Sequence, residues 1–463
     1  MENTNQEIKD KLLAKPQNAW EIMNTAETEK ARRYGDAYAA FLNAAKTERE
    51  AVKIGAAMAE AAGYRPFTFD MKLEKGEKYY YNNRGKSLFV FDMGTDDAQP
   101  GIRITAAHVD APRLDLKQRP LYGDAGMAYL KTHYYGGIKK YQWATIPLAL
   151  HGTVIRADGT PVEICIGEDP ADPVFYISDL LPHLGKDQMQ KTMAEGLNAE
   201  QLNLISGSCS YPEEKGDDGV KLQFLSLLNE KYGLTEADLM SAELCAVPAD
   251  KARFVGLDRS LIAGYGHDDR ICAYTALTAM LNTPACGAPR MVIWADKEEI
   301  GSVGITGMRS AVLSDLIDAV AAARAFTPAQ TRAASVCLSA DVAAGYDPAF
   351  GEAYEKRNAA YIGRGIAMCK FTGSRGKSGA SDASAELVGR IRALFDANGV
   401  VWQTSEMGKT DQGGGGTVAA YLADLNIEVL DVGVALLSMH APLELASVAD
   451  LYMTYRAFSA FFA

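Results

Sequence analysis

Five short clusters of histidine and carboxylate side chains could bind divalent cations and move protons. Most of them directly follow a strand-like run, and α/β proteins gather ligands beyond the ends of strands. Histidine and carboxylate without cysteine suit zinc, manganese or cobalt in a catalytic site. Without a cation, a buried carboxylate cluster would repel itself, so we predict a metal site. The clusters are His108-Val109-Asp110, His267-Asp268-Asp269, Asp296-Lys297-Glu298-Glu299, Asp341 and His440.

Two features of these clusters indicate hydrolysis by a pair of ions. Of the adjacent glutamates Glu298 and Glu299, one can bind metal while its neighbour accepts a proton from water. A single carboxylate such as Asp268 could bridge two ions roughly 3.5 to 4 Å apart, the spacing typical of two-metal hydrolases. We therefore hypothesise a dinuclear hydrolytic centre.

Alternating strands and helices must position these clusters. Apolar residues at helical spacing, such as Tyr38, Phe41 and Leu42, predict helices between residues 16 and 63. The later alternation predicts an α/β fold, with a mixed or largely parallel β-sheet between layers of helices. Strands are predicted at 87–93, 101–110, 290–296, 335–341 and 427–434, and helices near 271–281, 313–325 and 384–395.

A change of texture marks an inserted segment. Residues 111–247 read as short strands and turns, and Asp158-Gly159 predicts a hairpin turn. We therefore predict a discontinuous catalytic domain of residues 1–110 and 248–463, interrupted by a β-rich domain of residues 111–247. The run Gly413–Gly416 predicts a loop that lets something approach its backbone.

Composition narrows the function classes. The 463 residues are 48% hydrophobic and 23% charged, as in ordinary globular proteins. Subtracting 59 acidic from 47 basic side chains gives a net charge of -12, which opposes binding to nucleic acid or to an anionic membrane. The N-terminal segment has no apolar core, and no run is long enough to span a membrane. We therefore expect a cytoplasmic location. The seven scattered cysteines lack CxxC spacing, so we expect reduced thiols and no thiolate zinc site.

Five motifs, in this order and spacing, resemble the M18 metallo-aminopeptidases, the family of aspartyl aminopeptidase and vacuolar aminopeptidase I. Singly, each motif is weak, but five in order are specific. The resemblance spans nearly the whole chain, including the predicted insertion, and it implies a zinc-exopeptidase-like catalytic domain. The motifs are AAHVDAPRLDLK, HDDRICAY, DKEEIGSVG, SADVAAGYDP and DVGVALLSMHAPLELAS.

The resemblance implies two divalent metal ions per subunit, zinc first and manganese or cobalt as alternatives. It implies that the protein removes N-terminal residues from peptides. Glu298 matches the general base, and Asp110 matches the carboxylate that orients a histidine ligand. Asp269 stands where the family has Asn or Asp after a cis peptide. The implied metal ligands are His108, Asp268 as the bridge, Glu299, Asp341 and His440.

The resemblance also implies a homo-oligomer, usually a dodecamer assembled through the inserted domain. Family members carry a histidine in the insertion that reaches a neighbouring subunit's site. Here YYGGIKKYQWATIPL places Lys140 at that point, and His133 is the alternative for this substrate-binding role.

Other departures and matches concern the substrate cleft. The segment after Asp341 reads VAAGYDPAF, so substrate recognition near Tyr346 can differ from that of relatives. Lys370, with Arg375 and Lys377 nearby, falls where family members keep a basic pocket residue. Gly414 and Gly415 are predicted to line the cleft with their backbone.

Two alternatives stay open on the sequence alone. A related metal-dependent amidohydrolase would remove acyl or carbamoyl groups and would need no free amine on its substrate. A non-catalytic peptide-binding scaffold could keep the fold without the reaction, although loss of ligands would favour that reading and all five are present.

Overall fold

A computed structural model describes residues 5–96 and 98–463 of the chain. Over these residues the α-helices are α1 (Asn5–Leu12), α2 (Ala19–Ile22), α3 (Thr25–Ala44), α4 (Glu48–Ala61), α5 (Lys186–Met189), α6 (Gly216–Tyr232), α7 (His267–Asn282), α8 (Val312–Ala323), α9 (Pro328–Ala334), α10 (Ala385–Ala397), α11 (Ala419–Ala423) and α12 (Val448–Phe462).

The strands over the same residues form four sheets. In chain order they are β1 (Arg65–Pro66), β2 (Lys78–Asn83), β3 (Ser87–Asp92), β4 (Arg103–His108), β5 (Arg113–Asp124), β6 (Met127–Tyr135), β7 (Leu148–Ile155), β8 (Pro161–Ile166), β9 (Leu204–Gly207), β10 (Ala242–Pro248), β11 (Arg253–Val255), β12 (Leu261–Gly264), β13 (Arg290–Ala295), β14 (Val336–Ala340), β15 (Ala343–Ala344), β16 (Ile366–Cys369), β17 (Gly373–Ser374), β18 (Trp402–Thr404), β19 (Gly414–Gly415), β20 (Glu428–Gly433), β21 (Ala435–Leu437) and β22 (Glu444–Ser447).

The largest sheet has nine strands in the order β1-β2-β3-β13-β4-β14-β20-β16-β18. Its four central strands, β13, β4, β14 and β20, run parallel, while β3 and β16 join them antiparallel. Strand β13 is buried at every position, which explains its continuous apolar run RMVIWA. The predicted mixed, largely parallel sheet is therefore confirmed.

Helices cover both faces of this sheet. Helices α3, α4, α7, α10 and α12 pack on one face around Phe41, Leu277 and Phe458. Helices α8 and α11 pack on the other face around Leu316 and Leu422. The α/β prediction is confirmed by this layering.

Residues 113–248 supply an antiparallel sheet of six strands in the order β8-β7-β10-β5-β6-β9. It has its own apolar core, which includes Trp143, Leu148 and Leu228 of helix α6. Strands β7 and β8 form a hairpin whose turn contains Asp158 and Gly159, as predicted.

Two smaller sheets lie beside the large one. The first has five strands in the order β11-β12-β22-β21-β15, and the second pairs β17 with β19. The five-stranded sheet leads directly into two of the clusters singled out above, because helix α7 follows β12 and His440 lies between β21 and β22. None of the described helices is long and apolar enough to cross a membrane.

Candidate active site

The carboxyl ends of the central parallel strands bring three of the clusters together. Strand β4 ends at His108. The register partner of His108 is Ala295, which ends β13. The turn that carries Glu298 and Glu299 follows β13, and Asp341 follows β14. Because parallel strands end at one edge of a sheet, residues from distant parts of the sequence meet there.

The five-stranded sheet supplies the remaining two residues. Gly264 of β12 pairs with Glu444 of β22, and Asp268 and His440 lie just beyond these strands. All six side chains face one cavity of about 650 Å³. They are His108, Asp268, Glu298, Glu299, Asp341 and His440.

Asp268 lies between the two histidines. Its Oδ1 is 3.1 Å from His108 Nε2, and its Oδ2 is 3.1 Å from His440 Nε2. Glu299 Oε1 is 3.5 Å from His440 Nε2, and Asp341 Oδ1 is 3.9 Å from His108 Nε2. Each imidazole thus lies next to a different oxygen of Asp268. Each also has a second carboxylate nearby, Asp341 for His108 and Glu299 for His440.

The hydrogen bonds of the two histidines show which ring nitrogen faces Asp268. His108 Nδ1 donates to the Asp110 carbonyl oxygen at 3.0 Å, and His440 Nδ1 donates to the Gly137 carbonyl oxygen at 2.6 Å. A neutral imidazole with Nδ1 protonated directs a lone pair from Nε2. On both sides of Asp268, a lone pair and a carboxylate oxygen would therefore repel each other unless positive charge lay between them.

Glu298, Glu299 and Asp341 are largely buried without enough nearby positive charge to stabilise their ionised forms. Burial raises the pKa of Glu298, and it raises those of Glu299 and Asp341 well above the ordinary range. For His440, burial lowers the pKa, but the hydrogen bond and charge of Asp268 outweigh it and raise the pKa to about 10. The protein alone would thus hold protons where a cation fits.

Unpaired oxygens complete this test of the metal site. Asp268 Oδ1, Asp269 Oδ1 and Glu299 Oε1 are buried and accept no hydrogen bond from the described residues. Side-chain atoms of His108, Asp268 and Glu299 lie within 4.8 Å of one another, as do those of His108, Asp269 and Asp341. Imidazole and carboxylate at this spacing fit a divalent cation such as zinc.

Asp110 fixes the main chain of the glutamate turn. Its Oδ1 accepts the Glu298 N–H at 3.1 Å, and its Oδ2 accepts the Glu299 N–H at 3.2 Å. Its Oδ1 also lies 3.4 Å from His108 Nδ1. Asp110 is fully buried and does not line the cavity, so it orients neighbours rather than meeting substrate.

Glu444 fixes the main chain of Asp268 and His440 in the same way. The sequence analysis did not identify this residue. Its Oε2 accepts the Asp268 N–H at 3.0 Å, and its Oε1 accepts the His440 N–H at 2.7 Å. Glu444 is buried. The motif SMHAPLELAS contains it, and a carboxylate at a buried strand position four residues after a histidine was the signal available.

Asp269 follows a cis peptide bond with Asp268, as the resemblance implied. It is buried, and its Oδ2 accepts the His108 N–H at 3.4 Å. Asp269 is thus a further hydrogen-bond acceptor for the end of strand β4, and its side chain lies close to those of Asp341 and His108.

The glycine loop lines the same cavity as the histidines and carboxylates. Gly414 and Gly415 form β19, and together with Arg375 and Lys377 they face the cavity. A Cβ at Gly414, whose φ is +138°, would lie 2.6 Å from the Gly373 carbonyl oxygen. The close approach predicted for this glycine run is therefore made, at Gly414, by strand β17 of the same chain.

The other substrate-binding candidates lie elsewhere in the single chain. Among the described residues that line the cavity, His133, Lys140 and Lys370 are not included. Lys370 donates to Asp382, His133 is exposed beside Tyr134, and Lys140 begins a short 3-10 turn.

A helix-flanked mixed sheet with histidines and carboxylates beyond its parallel strands defines a metal-dependent hydrolase. The chain belongs to the M18 peptidase family, since the family model described as Aminopeptidase I zinc metalloprotease (M18) matches residues 41–462.

Relatives and solved structures agree with this assignment. A probable M18 family aminopeptidase 1 of Clostridium acetobutylicum is 46% identical over 458 residues, which cover 97% of this chain and 98% of the relative. The crystal structure of an M18 aminopeptidase from Thermotoga maritima has a TM-score of 0.93 at 40% identity, covering 97% of this chain and 99% of that one. The crystal structure of aminopeptidase I from C. acetobutylicum has a TM-score of 0.92 at 43% identity, covering 98% and 100%.

A more distant structure, the mApe1 dodecamer of S. cerevisiae, shares the fold with a TM-score of 0.75 at 21% identity, covering 94% of this chain and 97% of that one. Family membership and close relatives identify this chain as an aminopeptidase of the M18 zinc metalloprotease family, which hydrolyses N-terminal residues from peptides. They favour that function over the deacylase and scaffold alternatives.

Proposed function

We propose that this aminopeptidase works with two divalent cations per subunit, most often zinc, with manganese or cobalt as substitutes. His108 and Asp341 would hold one ion, and His440 and Glu299 the other. Asp268 would bridge them. The carrying observation is that Asp268 offers one oxygen to each imidazole, both at 3.1 Å. A bridging carboxylate of this kind is typical of two-metal hydrolases.

When bound, such cations would supply Lewis acidity to the scissile carbonyl and to the attacking water near neutral pH. Glu298 is the general base. Both glutamates line the cavity, but the side chain of Glu298 is 19% exposed, whereas that of Glu299 is 5% exposed and lies 3.5 Å from His440 Nε2. Burial raises the pKa of Glu298, which suits a group that must first accept a proton and then release it.

The protein's own residues then complete the reaction. Glu298 takes a proton from the attacking water and passes it to the departing amine. Asp110 and Glu444 keep the main chain of the ligands in place through their four N–H acceptor contacts. The excess of carboxylates around the cavity would hold the free α-amino group of the substrate, which limits cleavage to chain ends.

Substrate contacts extend along the cavity. The backbone of Gly414 and Gly415 would pair with the peptide, and Arg375 and Lys377 lie at the same side. Lys370 forms an ion pair with Asp382. It would contact the substrate only if it exchanged Asp382 for a substrate carboxylate.

The functional unit is a homo-oligomer, for which we take the dodecamer of the S. cerevisiae relative as the expected form. The inserted residues 111–247 would serve as the oligomerisation domain. Its segment 180–193 exposes Leu181, Leu184, Met189 and Met193, apolar side chains that contact with another subunit would bury. In such an assembly Lys140 or His133 could reach a neighbouring cavity. Light scattering on the purified protein gives the mass, and a monomer would contradict this part.

A cytoplasmic location is the remaining part of the proposal. Its support is that all seven cysteines are free thiols, two of them exposed. Such thiols persist in a reducing compartment. Cell fractionation with an antibody would test it, and recovery from the secreted fraction would contradict it.

The deciding experiment replaces the general base. Glu298→Gln keeps the size of the side chain but cannot take up a proton, so kcat should fall by about 10²- to 10⁴-fold. The measurement is hydrolysis of aminoacyl-coumarin substrates by zinc-reconstituted protein, with metal content determined in parallel. Unchanged turnover at full metal content would remove Glu298 from its role.

The same protein tests the metal itself. Removal by a chelator should abolish hydrolysis, and added zinc should restore it. A matched N-acetylated peptide should resist cleavage because it has no free amine.

A further inference from the structure

Three consecutive residues at the end of strand β6 contact Asp110, Glu299 and His440 around the proposed metal site. Tyr135 ends strand β6, and Gly136 and Gly137 follow it. We propose that these three are positioning residues, through which the six-stranded sheet sets the geometry of the metal ligands. This inference rests on the proposed function for its kinetic readout, whereas its metal-binding readout is independent of the reaction.

Tyr135 acts through Asp110. Its hydroxyl donates to Asp110 Oδ2 at 2.9 Å, and the same oxygen accepts the Glu299 N–H at 3.2 Å. Asp110 is fully buried, so it cannot replace a lost donor with bulk water. Removing the hydroxyl should therefore let Asp110 shift, and with it the turn that carries Glu298 and Glu299.

The ring of Tyr135 is itself held in place by Arg113, its register partner on strand β5. The guanidinium carbon of Arg113 lies 4.1 Å from the ring centroid. Arg113 in turn donates to Glu48 of helix α4 at 2.9 Å and to Asp115 at 2.7 Å. A guanidinium fixed on two sides keeps the ring, and hence the hydroxyl, in one position.

Gly136 leaves room for the metal ligand Glu299. A Cβ at this position would lie 3.0 Å from Glu299 Oε2 and 3.3 Å from Glu299 Cβ, and the φ of Gly136 is +74°. Any side chain there would push the carboxylate aside. Glycine is thus favoured both by the backbone angle and by the close approach of the Glu299 side chain.

Gly137 acts through its main chain. Its carbonyl oxygen accepts the His440 Nδ1–H at 2.6 Å, and this hydrogen bond leaves Nε2 free to face Asp268 and Glu299. An outer partner of this kind fixes the tautomer and the ring orientation of a metal-binding histidine. The three residues together therefore touch Asp110, Glu299 and His440.

The first test is Tyr135→Phe, which removes one oxygen atom and keeps the ring. Zinc affinity, measured by competition of the metal-free protein with a chromogenic chelator, should fall about ten- to hundred-fold. With saturating zinc, kcat should fall while KM changes little. Tyr129→Phe is the matched control on the same strand: Tyr129 is half-buried and stacked on Tyr122, with ring centroids 5.2 Å apart, and should behave as wild type.

The second test separates the ligand contact from the backbone angle. Gly136→Ala should weaken zinc binding, whereas Gly126→Ala, with a φ of +76° and nothing within 4 Å of the added Cβ, should not. Circular dichroism establishes that each variant folds. If Gly136→Ala does not fold, Tyr135→Phe decides alone.

The outcomes distinguish this inference from the proposed function. Wild-type zinc affinity and kcat in both Tyr135→Phe and Gly136→Ala would overturn the inference, even if Glu298→Gln were inactive. Weakened zinc binding in these variants, together with full activity of Glu298→Gln, would uphold the positioning role and overturn the proposed general base.

Discussion

At the scale of single residues, two buried carboxylates fix the main chain of four functional residues. Asp110 accepts the N–H groups of Glu298 and Glu299, and Glu444 accepts those of Asp268 and His440. The proposed general base and three of the proposed metal ligands are thus held by backbone hydrogen bonds as well as by their own side chains. Residues of this supporting kind are commonly needed for tight metal binding.

The Glu444 contact leads to a prediction at this scale. In Glu444→Gln only one terminal atom can accept, and the amide NH₂ would face a backbone N–H donor. We expect zinc affinity to fall about ten- to hundred-fold. Titration of the metal-free protein with zinc measures this. Glu428→Gln, at an exposed position paired with Arg390, is the control, and equal affinity of the two variants would contradict the role of Glu444.

At the scale of elements, the strand ends decide where the chemistry lies. Strands β4, β13 and β14 deliver His108, the glutamate turn and Asp341 to one edge. The register between β4 and β13 pairs His108 with Ala295, which places the glutamate turn beside it. Helix α7 completes the site because it starts immediately after β12, where Asp268 and Asp269 have non-helical backbone angles.

A buried ion pair joins two strands of this sheet. Arg290 of β13 donates to Asp92 of its register partner β3 at 2.8 and 2.6 Å, and both side chains are 1% exposed. We expect Asp92→Asn to lower the free energy of unfolding by about 3 to 5 kcal/mol, because it leaves a buried guanidinium without its counter-charge.

Urea denaturation followed by tryptophan fluorescence measures this change, since the buried Trp294 lies in β13. Glu29→Gln breaks an exposed pair with Arg33 and should leave the midpoint unchanged. Equal midpoints for the two variants would contradict the assignment.

At the scale of the whole molecule, charged contacts join the six-stranded sheet to the helical layer. His151 of β7 lies 2.8 Å from Glu50 of α4 through Nδ1 and 3.0 Å from Glu168 through Nε2. Lys46, which precedes α4, also reaches Glu168 at 3.1 Å, and Lys251 contacts the same carboxylate. None of these residues lines the cavity of the candidate active site.

The protonation of His151 predicts a pH dependence of this junction. Burial lowers the pKa of His151, but hydrogen bonds to Glu168 and Glu50 outweigh it and raise the pKa above the ordinary value of 6.5. Because the folded-state pKa is raised, the stabilisation is complete below pH 6.5 and is lost as the pH rises through the raised pKa.

We therefore expect the thermal midpoint of the wild type to fall more steeply above pH 6.5 than that of His151→Gln. His183→Gln, at an exposed position, should follow the wild type. Calorimetry over this pH range checks both, and parallel curves for wild type and His151→Gln would contradict the prediction.

Much of this protein could be read from local pattern. The apolar run of β13 and the alternation of strands with helices predicted the sheet. The position of the polar clusters after predicted strands indicated that they would gather at one edge of the sheet, and the resemblance to the M18 family indicated which of their side chains would meet there. Such signals are local: periodicity reports burial, and residue type reports the chemistry available.

Only the tertiary structure decided the contacts between distant segments. Nothing in the spacing of Tyr135 and Asp110, or of Gly137 and His440, shows that they touch, since the chain brings them together through separate sheets. Glu444 was missed for the same reason: its role is to accept two N–H groups far apart in sequence from each other. The sequence thus determined the functional side chains and the α/β sheet that carries them. Three-dimensional packing determined which buried groups hold those side chains in position.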